Sequence, residues 1–340
     1  MALPALAVGT LTYIQDPYIV YHPADLFPDN MRYLAPGLAR HMDHEVVVLG
    51  DSMSQNFLPS VIEKTLGAKG LNLTISGSTL FEQRKVFEAA SRNGKVRRVI
   101  WGINPRAAKG EVERLSDENT FPLHLYDANP FNDWRYLFNR DNVTLSWHML
   151  RQPPPPVPLD LDLYNTWHTL RENAPGRARV LSRYRRPRGV TQNVPEDLRL
   201  ERLTASFDHN VLATIRAHRE VAFEVFFPPF SDLYHVSSHS SRPQVFNTHT
   251  AFYRYVMKAL NAEPNARVFY FDNATRVTGD LDNYKDWRHY WVHVNDWILL
   301  SMAQGIHQVG PDDIDTVLTR FTTRIENTDL DTLLKPPAAD

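Results

Sequence analysis

A three-layer α/β sandwich around a central parallel sheet, interrupted by a mostly helical insertion, is the fold class this 340-residue sequence predicts. Three observations point there. Short apolar, β-branched runs alternate with helical stretches, the pattern of βαβ units with right-handed crossovers. Each of the first three runs stops at a small or polar group: Gly50-Asp51-Ser52, Ser76-Gly77-Ser78 and Gly102-Ile103-Asn104. Between the third and fourth runs lies a long stretch, from 105 to about 195, with few strand signals.

Taken in order, residues 2 to 14 are apolar, but the run is too short to span a bilayer and no basic residue precedes it. It reads either as a buried first segment or as the tail end of a membrane anchor or signal sequence. "HEVVVLG", ending at Gly50, is the first strand, "GLNLTISG" (70–77) the second and "VRRVIWGIN" (96–104) the third. Helices are expected over Pro59–Leu66 and from Thr79 to Arg92. The second of these opens on a capping box, Thr79 with Glu82 three residues on. Two further strands, "VAFEVFFPP" (221–229) and "ARVFYFDN" (266–273), are flanked by helices at about 196–219, 245–261 and 292–306. The tail from Asp312 has the pattern of one more amphipathic helix. These elements divide the chain into an N-terminal segment (1–43), an α/β domain (44–310, insertion at about 105–195) and a C-terminal helix and tail (311–340).

The insertion contains a stiff connector, Pro153-Pro154-Pro155-Pro156, followed by "LDLDLYNTWHTL". Its end carries six arginines: Arg177, Arg179, Arg183, Arg185, Arg186 and Arg188. They form a solvated basic loop or a contact for an anionic polymer or lipid head group. A net charge of −2 argues against nucleic acid as a partner. The absence of cysteine removes disulfides, thiolate metal sites and cysteine nucleophiles.

In a parallel sheet the working residues sit beyond the carboxyl ends of the strands. Ser52 at the first tip is a candidate nucleophile. The Gly77 N–H at the second can approach a substrate closely because no Cβ intervenes. Asn104 at the third presents a side-chain amide. With the Ser52 backbone N–H, these groups are the donors an oxyanion needs. A base must come from elsewhere, and Asp286-Trp287-Arg288-His289 supplies one. An aspartate three residues ahead of a histidine can accept from its Nδ1–H and leave Nε2 free to take a serine proton.

These four blocks, Gly50-Asp51-Ser52, Gly77, Gly102-x-Asn104 and Asp286-x-x-His289, resemble those of the SGNH (GDSL-type) hydrolases. The resemblance covers roughly 44–105 and 220–306. "DPYIVYH" (16–22) and "MRYLAPGLARH" (31–41) make the chain look most like membrane-anchored bacterial envelope proteins that act on polysaccharides. It implies Ser52 as nucleophile, Asp286 and His289 as the acid–base pair, and Ser52, Gly77 and Asn104 as the oxyanion hole. Pro105 stands where the family's third block usually has Asp, and Met53-Ser54 departs from its usual first block.

The expected activity is therefore transfer or hydrolysis of an acyl group, acetyl in particular, on an extracytoplasmic polysaccharide. A membrane acyltransferase is the implied acyl donor, and no cofactor is called for. The alternative is a non-catalytic binding or scaffold protein of the same fold in a polysaccharide biosynthesis or export complex. Other motifs are poor. There is no second glycine for a G-x-S-x-G elbow, and no Gly-x-Gly-x-x-Gly or Walker loop. His289 and His293, four apart, lack the HExxH frame of a zinc helix, and "TGDLDNYKD" (278–286) lacks the glycine and terminal Glu of a calcium loop. Trp287, Tyr290, Trp291 and Trp297 surround the proposed histidine as core or as a sugar-stacking platform.

Overall fold

The computed structural model describes residues 2–23, 30–117, 121–153, 160–167 and 174–335. Five strands, β1 (Val46–Leu49), β2 (Gly70–Asn72), β3 (Arg98–Gly102), β4 (Ala222–Phe227) and β5 (Ala266–Tyr270), form one sheet in the order β2-β1-β3-β4-β5. Every pairing is parallel. β1 through β3 are almost wholly buried, as strands covered on both faces must be. The register of β4 is fixed by charge as well as by packing. Glu224 is buried at 2% exposure, lies opposite Arg267 of β5 and pairs with it, and Arg98 of β3 approaches from the other side at 3.8 Å.

Among the helices around it are α1 (Ala2–Gln15), α2 (Met31–His41), α3 (Pro59–Leu66), α4 (Leu80–Ser91), α5 (Leu200–Phe207), α6 (Asp232–Ser241), α7 (Pro243–Asn261) and α8 (Val292–Ala303). α4 packs on β1 and α7 on β5; α5 bridges α4 and α7, and α2 lies over α4. α3 packs on β2 and meets α8 on the other side. The sheet is thus the middle layer of three. α3 begins with Pro59 in its first turn, where the missing N–H costs nothing, and ends at Gly67 with φ +67. The capping box at Thr79 is formed in both directions: Glu82 N–H donates to Thr79 Oγ1 at 3.2 Å, and Thr79 N–H to Glu82 Oε2 at 3.0 Å.

Several elements differ from the expected bounds. The second strand is regular only over Gly70–Asn72, although Leu73 and Ile75 still donate to Val48 O and Gly50 O, and the Asn72 side chain turns to the loop after β1. The long helix before β4 runs from Leu200 to Ala217 through a π turn at Asp208–Leu212. α6 was not expected; Ser231, which caps it by accepting from the Tyr234 N–H, is separated from the pair Pro228-Pro229 by Phe230 alone. The tail forms Ile314–Glu326 and Leu330–Leu334. Pro154–Pro156 lie outside the described residues.

One continuous core includes β-strand residues, Leu34 of α2 and Phe321 of the tail. The N-terminal segment is tied in by Asp16, which is 3% exposed and takes hydrogen bonds from the N–H groups of Val20, Tyr21 and His22 and from the Tyr136 hydroxyl. α1 lies against helix Arg140–Arg151 of the insertion. Among the described residues no helix is long and apolar enough to cross a membrane.

Candidate active site

β1 is the point where strand order reverses: the chain goes from β1 to β2 on one side, then returns past it to β3 on the other. Crevices at such switch points are where open α/β sheets place ligands. The residues leaving β1 and β3 both project there.

After β1 the chain turns at Gly50, whose φ is +146, and enters a single 3₁₀ turn over Ser52–Ser54. Asp51 caps that turn, its Oδ1 accepting from the Met53 N–H at 3.0 Å. Ser54, the other hydroxyl of the motif, is fully buried with no hydrogen-bond partner for its Oγ. A Cβ on Gly102 would come within 2.3 Å of that Oγ, and one on Gly50 within 2.6 Å. The two strand-end glycines thus make room for Ser54 in the core and leave Ser52 at the surface of the turn.

Ser52 Oγ and His289 Nε2 are 2.9 Å apart, across 237 positions of sequence. His289 Nδ1 lies 2.8 Å from Asp286 Oδ2 and 3.1 Å from Oδ1. The same carboxylate accepts from the backbone N–H groups of Arg288 at 2.8 Å and His289 at 3.0 Å. Burial pushes the Asp286 carboxyl up, but the His289 ring and these two N–H groups outweigh it and hold it well below the ordinary carboxylate range. An aspartate so held stays ionised, fixes the histidine tautomer and can stabilise an imidazolium. Serine, imidazole and carboxylate are aligned for proton transfer from Ser52 Oγ to His289 Nε2.

The proposed donors stand at the neighbouring tips. Gly77 has φ +67 and open space where a Cβ would be. Its turn is bonded to the residue two before Ser52: Ile75 N–H donates to Gly50 O at 3.1 Å, and Ser78 Oγ to the same oxygen at 3.0 Å. Neither the Ser52 N–H nor the Gly77 N–H has a protein acceptor among the described residues. Asn104 is 1% exposed and clamped at both ends of its amide. Its oxygen accepts from the N–H groups of Arg106 and Ala107, and its Nδ2 donates to Asp51 Oδ2 at 2.8 Å. Pro105, in place of the expected Asp, is the first residue of the short helix that Asn104 caps. A proline there has no N–H to satisfy, so this departure stiffens the donor. Two hydrogens sit on Nδ2 and one goes to Asp51, so the second is left to donate.

The insertion supplies what sequence reasoning missed. Trp167, 7% exposed, stands edge-on to the His289 ring at 5.5 Å and 83°. Lys285 Nζ lies 3.6 Å over the other ring, that of Trp167, and burial lowers its pKa. The neighbours of Trp167 are held by amides. Asn165, with φ +53, donates from Nδ2 to Thr74 O at 2.8 Å and Asn72 Oδ1 at 3.2 Å, and accepts from Gln55 Nε2 at 2.9 Å. Asn56 Oδ1 accepts from the Trp167 N–H and the Thr166 hydroxyl. Asn72 in turn donates to the carbonyls of Gln55 and Phe57 at 2.8 and 2.9 Å. A residue type that tolerates positive φ, in "YNTW", was the one available signal.

The flanking tryptophans pack away from the base. Trp297 packs on Phe271 and His307, and Trp287 on Tyr184 and Tyr234, so neither is the aromatic against His289. His293 bonds Asn283, and no group of three potential metal ligands occurs among the described residues. Within the arginine run, Arg177 donates to the carbonyls of Leu333 and Lys335, and Arg186 pairs with Asp331 at 2.6 Å. These two clip the insertion to the C-terminal tail.

No protein-family model matches the chain, and no curated protein matches it. A solved structure from Streptococcus pneumonia that carries the name of a platelet activating factor is similar over 88% of this chain and 96% of that one, with 9% identity and a TM-score of 0.42.

Proposed function

We propose that this chain is an SGNH-type serine enzyme that moves or removes an acyl group, acetyl in particular, on an extracytoplasmic polysaccharide. The observation that carries the reading is the 2.9 Å approach of Ser52 Oγ to His289 Nε2, which nothing local in a 237-residue separation requires. Ser52 Oγ attacks the acyl carbonyl carbon as its proton passes to His289 Nε2. The oxyanion so formed sits against the N–H groups of Ser52 and Gly77 and the Asn104 amide. Collapse breaks the ester bond, and the leaving sugar oxygen takes the proton from His289, with the acyl group left on Ser52. Water then completes a hydrolysis, or a second sugar hydroxyl completes a transfer. Where the donor is instead an acyl group presented by a membrane acyltransferase, its carrier atom leaves in place of the sugar oxygen and takes the proton from His289, and the sugar hydroxyl then accepts the acyl group from Ser52.

Ser52→Ala tests the reading. Turnover of p-nitrophenyl acetate should fall to the uncatalysed background while the melting curve stays where it was. Near wild-type turnover in Ser52→Ala together with loss in Ser54→Ala would show that the nucleophile is misassigned. Absence of turnover in the wild type on any acyl ester would leave the scaffold reading in its place.

A further inference from the structure

On the far side of the Asp286–His289 loop, at the same edge of the sheet, lies a cavity of about 540 Å³. Its walls come from the segment after β3, from Pro187, Pro195, Asp197 and Leu198 ahead of α5, from α6 and the start of α7, and from Trp287 and Arg288. The charge in these walls is one-sided. Lys109 and Asp197 cancel in an ion pair of 2.9 Å, and Asp197 is the sole carboxylate among the lining residues. Arg106, Arg242 and Arg288 remain, none with a carboxylate partner among the described residues. Arg106 and Arg242 are exposed and Arg288 is half-buried, and Arg is the side chain of choice for bidentate recognition of carboxylate and phosphate.

Two enclosed polar atoms point the same way. Arg288 Nε and His249 Nε2 are both shut off from solvent and have no hydrogen-bond partner. A buried polar atom without a partner costs stability, so each calls for a water or a ligand atom. One wall is aromatic: Tyr234 stacks on Phe230 at 4.6 Å and meets Trp287 at 5.4 Å, with the Arg288 guanidinium 5.6 Å over the Trp287 ring. An aromatic face beside unpaired guanidiniums suits a ring that is apolar on one side and anionic at its rim.

We propose that this cavity is an anion subsite for the glycan: it takes a sugar residue that bears a carboxylate or a phosphate, against Tyr234 and Trp287 and paired with Arg106, Arg242 and Arg288. The role as a substrate subsite rests on the ester reading of Ser52; the binding itself does not. Arg288 lies between Asp286 and His289 in sequence, so an anion held there is registered against the loop that carries the base.

The Ser52→Ala protein is titrated calorimetrically with trigalacturonate, with its neutral methyl ester and with inorganic phosphate. The expected result is at least tenfold tighter binding of trigalacturonate than of the neutral form, a preference lost in Arg106→Gln/Arg242→Gln/Arg288→Gln. Phosphate should compete, and the tighter of the two anions identifies the charged group. Arg242→Gln alone, at an exposed helix end, keeps the test open should the triple variant fail to fold, and should weaken binding several-fold. Equal affinity for charged and neutral trimers, or an unchanged preference in a folded variant, overturns the subsite. Since Ser52→Ala turns nothing over, anion binding without any esterase activity in the wild type would sink the ester reading and leave the subsite standing; the converse result would do the opposite.

Discussion

Ser52 and Trp167 both approach His289, yet they are held there by different means. Ser52 leaves β1, whose ladder partners on both sides are backbone groups of β2 and β3. Trp167 leaves no strand at all. It is set by Asn56, and its neighbour Asn165 is bonded to Asn72, Thr74 and Gln55. The first arrangement rests on a backbone ladder that any parallel sheet would make, with the Asp51 side chain capping the turn beyond it. The second is made of side-chain amides that must each be present. On the proposed reading the sheet edge supplies the chemistry, while the insertion is an added wall fastened to the turn after β1 by specific residues.

The largest effect that would break this division is at the sheet edge. Asp286→Asn should lower kcat on the order of 10⁴-fold, because the amide favours the wrong tautomer of His289. The same variant checks the ionisation. The depressed Asp286 pKa means that its carboxylate is favoured in the folded state, so its stabilising effect is complete above the unfolded value of about 4 and fades as pH falls below it. The gap in melting temperature between wild type and Asp286→Asn should therefore be widest above about pH 5 and close on acidification. A gap that widened toward acid would reverse the assignment.

Next in size is Asn104→Ala. Loss of one oxyanion donor should reduce kcat about 10²- to 10³-fold with KM nearly unchanged. An unaltered kcat would make Asn104 a cap for the short helix at Pro105 and nothing more.

The smallest effect sharpens the contrast. Asn165→Ala should cost about 1–3 kcal/mol in denaturant unfolding through the buried partners it strands. It should move kcat less than tenfold, since Ser52 and His289 keep their own supports. A kcat loss as large as that of Asn104→Ala would mean that the insertion works on the reacting atoms and is not only a wall.

This division also explains what could be read in advance. Val46–Leu49 followed by Gly-Asp-Ser, and Arg98–Gly102 followed by Asn104, carry their placement in local pattern: a β-branched run and then a residue with a function at the tip. The turn at Gly77 carries it through a residue type suited to φ +67. Asp286 and His289 are close in sequence, so their pairing was legible; their meeting with Ser52 came from strand order. Trp167 had no such route. It lies in a segment without helical or strand periodicity, and its position depends on Asn56 and on Asn72, far away in sequence, neither of which differs locally from an ordinary turn asparagine. The partners of the arginine run were hidden for a related reason. Composition shows charge but not pairing, and Arg177 and Arg186 are engaged with the tail while Arg106, Arg242 and Arg288, scattered along the chain, are left without carboxylates.

The order β2-β1-β3-β4-β5 has a consequence for how the chain comes into being on the ribosome. From β3 onward each new strand is laid on an edge that already exists, so the sheet can grow outward as the polypeptide emerges. The partner of Ser52, however, is made 237 residues after it. At about 5–20 residues per second that is an interval of roughly ten to fifty seconds. For all of that time the nascent protein holds an unactivated serine, no stronger as a nucleophile than any other hydroxyl. Ser52 gains its imidazole neighbour only once His289 has been made, 237 residues on, and the loop that carries it closes over a sheet that is already built.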